Sequence, residues 1–147
     1  MCDKAIKAQY FRDITNLERY LTTNHFLTSV NNEIDKSRNH SYADNLASLE
    51  TLVLVIFTED KTVVPKESAW FGSEAEDKPD WDEQKVLGSS STKDKAIVPM
   101  RLQQLYKEDW IGLRRLDNRG GVVFEECKGE HMQIGGCWEK IVRKYVG

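Results

Sequence analysis

The sequence predicts an α/β fold in which a partial parallel sheet is flanked by helices, and three observations predict it. Residues 52–57 are six consecutive apolar residues, three of them β-branched, between polar neighbours. Such a run is typical of a strand buried on both faces of a parallel sheet. A second apolar run, at 122–124, predicts a short second strand. Apolar residues at helical spacing lie before, between and after the two runs.

Three helical segments are predicted before the first strand. Residues 3–10 carry a partial apolar stripe, which indicates the end of a helix. Apolar residues recur at helical spacing over 24–34, and a polar stretch then ends that helix. Ser41 followed three residues later by Asp44 resembles a capping box, which predicts a short helix to about Glu50.

After the first strand, the polar composition of 73–95 predicts a long, mobile surface loop, which is uncommon inside a compact domain. Helical spacing over 102–116 predicts a helix with a candidate break at Asp109, and 117–121 is typical of a turn. The apolar stripe Trp138, Ile141, Val142 and Tyr145 predicts a docked C-terminal helix whose charged residues face water.

Length and charge limit the classes of function. With 147 residues, the chain is one domain or a piece of a larger one. Lys+Arg 21 against Asp+Glu 24 gives 21 − 24 = −3, so no nucleic-acid partner is expected. No apolar run approaches the roughly 20 residues of a transmembrane segment, and residues 1–7 lack the apolar region of a signal peptide. Cys2, Cys127 and Cys137 are odd in number and define no disulfide framework, which leaves the compartment open.

A carboxylate and an imidazole follow the two predicted strands. Asp60 lies just past the first strand and His131 a few residues past the second. Because the carboxyl ends of parallel strands form one ligand crevice, the two side chains are candidates for a catalytic pair. Asp before His is also the order in the Ser, Asp, His triads of α/β-hydrolases, although no G-x-S-x-G motif occurs in the chain. A turn aspartate and a surface histidine are the alternatives.

Two weaker signals accompany this pair. Cys127, His131 and Cys137 suggest a zinc site, but a structural zinc needs four ligands and the other histidines lie in unrelated segments, so no metal is expected. Asn39-His40-Ser41 fits the N-glycosylation sequon, which matters only in a secreted or lysosomal protein.

Several motifs, in this order along the chain, resemble the palmitoyl-protein thioesterase family. They are residues 5–11 and 39–42, then 52–57 with Glu59-Asp60, 63–65, 67–72, 106–113 with 116–118, 123–124 and 129–133, and finally Trp138 in a terminal helix. The resemblance covers nearly the whole chain except the polar loop. It implies an α/β-hydrolase fold of which residues 1–147 are the C-terminal portion, with 73–95 as an insertion.

The resemblance also implies a reaction and a set of site residues. The reaction is hydrolysis of the thioester that joins a long fatty acyl group to cysteine, in S-acylated proteins or peptides, without a cofactor and in the lysosome. By position, Asp60 and His131 are the triad aspartate and general base. Phe11, Thr62 and Val63 fall at positions along the acyl groove, and Asn39 falls at a glycosylation site.

The family's nucleophilic serine and its oxyanion hole belong to its N-terminal half. This chain begins after them, so it is expected to be inactive alone. The leading hypothesis is therefore the C-terminal part of a palmitoyl-protein thioesterase. The alternative is a short non-catalytic product that binds lipidated proteins or the full-length enzyme.

Overall fold

The computed structural model describes residues 12–14, 16–75 and 96–146. The helices are α1 (Leu17–Thr23), α2 (His25–Val30), α3 (His40–Ser48), α4 (Gln104–Lys107), α5 (Leu113–Asn118) and α6 (Cys137–Tyr145). The strands are β1 (Leu52–Phe57), β2 (Ser73–Glu74), β3 (Ile97–Val98) and β4 (Val122–Cys127), and 3₁₀ turns cover Asp35–Ser37, Lys66–Trp70 and Met100–Leu102. The predicted helix end at 3–10 lies outside the described residues.

The two long strands form the parallel pair that the sequence predicts. β1 pairs with β4 in the register Leu52↔Val122 to Phe57↔Cys127. β4 runs past the predicted end at residue 124, because two glutamates that lack a strand signature continue the pairing. The predicted burial of β1 on both faces is wrong for the described residues: Leu54 and Ile56 are buried, and their neighbours in the strand are half-buried.

The predicted polar loop begins with a strand. In β2, Ser73 and Glu74 pair antiparallel with Val98 and Ile97 of β3. This pairing corrects the loop boundary at 73, and it escaped prediction because neither Ser nor Glu favours strands. Residues 76–95 lie outside the described residues.

The N-terminal helices differ from prediction in extent. α1 was not predicted: its stripe is short, with Leu17, Tyr20 and Leu21 at helical spacing, and Tyr20 is its one buried residue. α2 ends at Val30 instead of residue 34, because Asn32 adopts a left-handed φ of 53°. The Asn32 side chain accepts from the Asn39 N–H at 2.9 Å and donates to the Asn39 carbonyl at 3.0 Å. This pairing of Asn32 with Asn39 joins the end of one helical segment to the start of the next.

The predicted capping box at Ser41 and Asp44 is wrong. α3 is capped by Asn39, whose Oδ1 accepts from the Ser41 N–H at 3.0 Å, and the helix ends at Ser48, two residues before the predicted Glu50. Asparagine is as good an N-cap as serine, so the choice between neighbouring polar residues was open in the sequence.

The predicted break at Asp109 is confirmed. α4 ends at Lys107, Asp109 has a φ of 54°, and its Oδ1 accepts from the Arg114 N–H at 2.9 Å at the start of α5. The C-terminal helix α6 is also confirmed, but none of its residues is buried and Trp138 is 49% exposed.

The core lies on the face of the sheet that carries Leu54. Its buried cluster combines this strand residue with side chains from the segment before β4: Met100, Tyr106, Ile111 and Leu113. On the same face, Trp70 meets Phe124 edge to face, with ring centroids 5.5 Å apart. Among the described residues, no helix has the length and apolar character to cross a membrane.

Candidate active site

The carboxyl ends of β1 and β4 lie at the same edge of the sheet, since Phe57 stands opposite Cys127. Two further backbone hydrogen bonds continue the pairing past the strands. The Thr58 N–H donates to the Cys127 carbonyl at 2.9 Å, and the Glu59 N–H donates to the Gly129 carbonyl at 3.0 Å. The two loops therefore leave the sheet side by side.

These loops bring Asp60 and His131 into contact. The Nδ1 atom of His131 lies 2.8 Å from Oδ2 of Asp60, although 71 residues separate them in sequence. The Asp60 side chain is 7% exposed and the His131 side chain 39% exposed. A carboxylate shielded from water thus holds an imidazole that solvent can still reach.

Asp60 is oriented by its second carboxylate oxygen. Oδ1 accepts hydrogen bonds from the backbone N–H groups of Thr62, at 2.8 Å, and Val63, at 3.1 Å. Burial alone would raise the carboxyl pKa, but the hydrogen bonds from His131, Val63 and Thr62 outweigh it and lower the pKa of Asp60 below its usual value. The ionised carboxylate can only accept, so it favours a proton on Nδ1 and leaves Nε2 of His131 as the basic nitrogen.

The loop that carries His131 is short and covalently closed. Cys127 and Cys137 form a disulfide with their Cα atoms 5.7 Å apart, at the end of β4 and the start of α6. Gly129 adopts a φ of 137°, where a side chain would be strained and a Cβ would crowd Gln133. The disulfide also removes the zinc alternative, because neither sulfur is then a free thiolate.

Sequence reasoning missed this disulfide. Three cysteines gave no even count, and spacing alone does not fix a pairing. The available signal was positional, since Cys127 and Cys137 flank the candidate histidine while Cys2 lies at the far end of the chain.

An apolar cavity of about 450 Å³ lies beside the loop that follows Asp60 in sequence. Val63 lines it, as do Val64 and Pro65, and Thr62 is not among its lining residues in the described part of the chain. Phe11 lies outside the described residues. Further lining comes from Ile14, Leu27, Met100, Leu105 and Trp110.

Glu33 adds a buried polar group to the cavity wall. Its side chain is 1% exposed and accepts hydrogen bonds from Arg12 Nε at 2.9 Å and from the Tyr20 hydroxyl at 2.6 Å. Burial, together with the Glu33 carboxylate, raises the pKa of Tyr20 above its usual range. Sequence reasoning did not find this cluster, which joins segments with no common motif. Its paired charges fix one wall of the cavity.

Asn39, the predicted glycosylation site, is exposed at the start of α3. Its Oδ1 caps the helix, whereas an N-linked sugar would be attached to Nδ2. The two roles use different atoms.

The chain belongs to the palmitoyl protein thioesterase family, because the sequence model of that family matches residues 1–131, which include Asp60 and His131. This match confirms the resemblance seen in the sequence. Over 131 residues the chain is 39% identical to palmitoyl-protein thioesterase 1 of Caenorhabditis elegans, a match that covers 89% of this chain and 38% of that protein.

Two other relatives give the same picture. Palmitoyl-protein thioesterase 3 of Dictyostelium discoideum is 37% identical over 117 residues, covering 80% of this chain and 35% of that protein. Lysosomal thioesterase PPT2-B of Xenopus laevis is 30% identical over 122 residues, covering 82% and 36%. The chain therefore spans 35–38% of the length of these relatives.

Proposed function

We propose that the chain supplies the aspartate and histidine of a thioesterase with an α/β-hydrolase fold, which hydrolyses thioesters between long fatty acyl groups and cysteine. The contact of Asp60 with His131 at the carboxyl edge of two parallel strands carries this proposal. Membership of a thioesterase family supplies the reaction class. The serine nucleophile belongs to a part of the protein outside these 147 residues.

In the proposed mechanism, the serine Oγ attacks the thioester carbonyl carbon while His131 Nε2 takes the serine proton. The tetrahedral intermediate collapses with cleavage of the C–S bond, and Nε2 returns the proton to the departing sulfur. Water then attacks the acyl-serine ester, gives a proton to Nε2, and the serine oxygen leaves with that proton. One thioester and one water yield one fatty acid and one thiol, and Asp60 stabilises the imidazolium twice in each cycle.

The apolar cavity beside Asp60 supports an acyl substrate. Val63 and Val64 connect the aspartate loop to a cavity wall that also presents aliphatic and aromatic side chains, among them Ile14, Leu27 and Trp110. Burial of an alkyl chain there is favourable by about 0.8 kcal/mol per CH₂. The proposed substrates are accordingly S-acylated proteins or peptides. In the proposed complex Val63 contacts the fatty acyl group, and Thr62 acts through the hydrogen bond of its backbone N–H to Asp60.

The proposed location is the lysosome, with Asn39 glycosylated. The disulfide is the observation that supports it, since such bonds persist mainly in oxidising compartments. A relative named as a lysosomal thioesterase agrees.

Sequencing the transcript upstream of Met1 identifies the complete gene product in which the proposal is tested. In that protein we expect Asp60→Asn and His131→Ala each to lower kcat for an acyl thioester by roughly 10⁴-fold. Glu130→Gln, next to His131 and exposed, is the matched control and should leave kcat within about twofold.

Thioester hydrolysis that survives His131→Ala undiminished would contradict the assigned roles. A stop codon just upstream, together with a 147-residue product that binds an acylated peptide without hydrolysing it, would instead establish the non-catalytic alternative.

A further inference from the structure

We propose that the Cys127–Cys137 disulfide positions His131 against Asp60, an inference that rests on the proposed function. Cys127 is the last residue of β4 and Cys137 the first residue of α6. The residues between them form the His131 loop, 128–136. The disulfide therefore closes this loop at its base, with the histidine near the middle.

Few other contacts restrain the His131 loop. At its start, the Gly129 carbonyl accepts from the Glu59 N–H. Beyond that point, within the described part of the chain, His131 to Asp60 is the one hydrogen bond from the loop to a distant segment. Glu130 bonds with Gln133, and the Ile134 N–H donates to the Met132 carbonyl. The second half of the loop is thus tied to the sheet mainly through Cys137.

Packing of α6 does not replace that tie. None of its residues is buried, and Trp138 and Val142, on its apolar stripe, are 49% and 40% exposed. Its polar contacts with β4 lie at the far end, where Lys144 Nζ and the Tyr145 hydroxyl reach Glu125 Oε1 at 2.8 and 2.6 Å. Without the disulfide, the nearest of these polar contacts would lie seven residues from the start of α6.

The consequence for catalysis is specific to the histidine. A displacement of about 1 Å in a reacting group can cost about 100-fold in rate. In the described part of the chain the apolar cavity has no lining from the His131 loop, so substrate binding should not change with it. Loss of the disulfide should therefore lower kcat by about 10- to 100-fold and leave KM within about twofold.

The first test follows the imidazole directly in the complete gene product. Long-range proton–nitrogen NMR distinguishes the two neutral tautomers of His131. We expect the Nδ1–H form in the parent protein and in Cys2→Ser, which keeps the disulfide pair, and a mixture of forms in Cys127→Ala/Cys137→Ala. An unchanged tautomer in the folded double variant would overturn the proposal. Reversible reduction of the parent by a phosphine makes the same comparison without a substitution.

The second test is kinetic and compares the disulfide variant with and without His131→Ala. A disulfide that acts through His131 lowers kcat only while the histidine is present, so the two effects are not additive. An equal loss in both backgrounds would show a general structural role and overturn the inference. A parent protein without His131-dependent hydrolysis would refute the proposed function alone, since the NMR comparison still decides whether the disulfide positions the ring.

Discussion

Asp60 has both of its carboxylate oxygens committed, and this fixes its direction. Oδ1 is held by the two backbone N–H groups that follow it in sequence, while Oδ2 faces His131 Nδ1. Rotation about the Cβ–Cγ bond would break all three contacts together. The aspartate loop thus orients the carboxylate so that its second oxygen faces the histidine.

The lowered pKa of Asp60 makes its contribution to stability depend on pH. A carboxyl whose pKa is lower folded than unfolded stabilises the protein fully above the unfolded value, and the contribution is lost as pH falls through the folded value. We expect the free energy of unfolding of the parent, relative to Asp60→Asn, to decline as the pH falls from about 5 through the range in which the Asp60 carboxylate takes up its proton. Urea unfolding of both proteins across this range measures it. A difference in unfolding free energy that does not change with pH would contradict the hydrogen bonds assigned to Asp60.

Substitutions at Asn39 can distinguish its role as a helix cap from its proposed role as a glycosylation site. Asp accepts the same N-cap hydrogen bond but cannot carry an N-linked sugar, whereas Ala does neither. In unglycosylated protein, Asn39→Ala should lower the free energy of unfolding by about 1 kcal/mol and Asn39→Asp by much less. In a eukaryotic host both variants should lose the same mass of glycan. Retention of that mass in Asn39→Asp would contradict the proposed site.

Helices α3 and α5 approach closely at one glycine. Gly112, which precedes α5, has a φ of 83°, and a Cβ there would overlap the Ala43 carbonyl oxygen and press on the Ala47 side chain. The absent side chain is therefore what lets α5 lie against α3. The same approach positions Leu113, which is fully buried in the core beside β1.

Substitution of this glycine should be costly, and the chain contains a matched control. Gly112→Ala combines backbone strain with a steric overlap, so we expect it to destabilise by about 3 kcal/mol or more. Gly120 has a similar φ of 80°, but apart from the glycine and its two chain neighbours no atom of the described residues lies within 4 Å of the position that a Cβ would take, so Gly120→Ala should cost only about 1 kcal/mol. Chemical denaturation of both variants tests the pair. Equal losses would show that the approach of α3 to α5 does not depend on Gly112.

Secondary-structure elements with a strong apolar pattern could be predicted from the sequence. Elements that depend on pairing with another segment of the chain could not. β1 carries an unbroken apolar run, and the logic of parallel strand ends then brought Asp60 toward His131 without any side-chain information. In contrast, the two-residue strands β2 and β3 depend on each other, and the stripe of α1 consists of only three apolar residues. The Cys127–Cys137 bond is likewise a property of the folded chain, because proximity and not composition decides which thiols pair.

At the scale of the whole molecule, the described residues leave apolar surface uncovered. Trp138, Val142, Met132 and Ile134, on α6 and the His131 loop, are 40–61% exposed. Within the described part of the chain β1 pairs only with β4. Both features fit a chain that spans 35–38% of the length of its relatives.

This exposed surface predicts how the isolated 147-residue polypeptide behaves. Exposed apolar patches and open strand edges favour self-association. We expect the isolated chain to bind a hydrophobic dye more strongly than the complete gene product, to associate on size-exclusion chromatography, and to release no fatty acid from an acyl thioester. A monomer that binds no dye would contradict the first two expectations, and turnover abolished by His131→Ala would contradict the third.

The register between β1 and β4 has a consequence for how the contact between Asp60 and His131 can be lost. A strand rises about 3.3 Å per residue, so a slip by one residue would carry His131 beyond hydrogen-bond reach of Asp60. The same slip would turn the pleat of the moved strand over and disrupt the packing around Leu54 or Phe124. Misalignment of Asp60 and His131 is therefore coupled to a failure to fold, and quality control that recognises exposed core residues would also remove molecules in which these two side chains are misaligned.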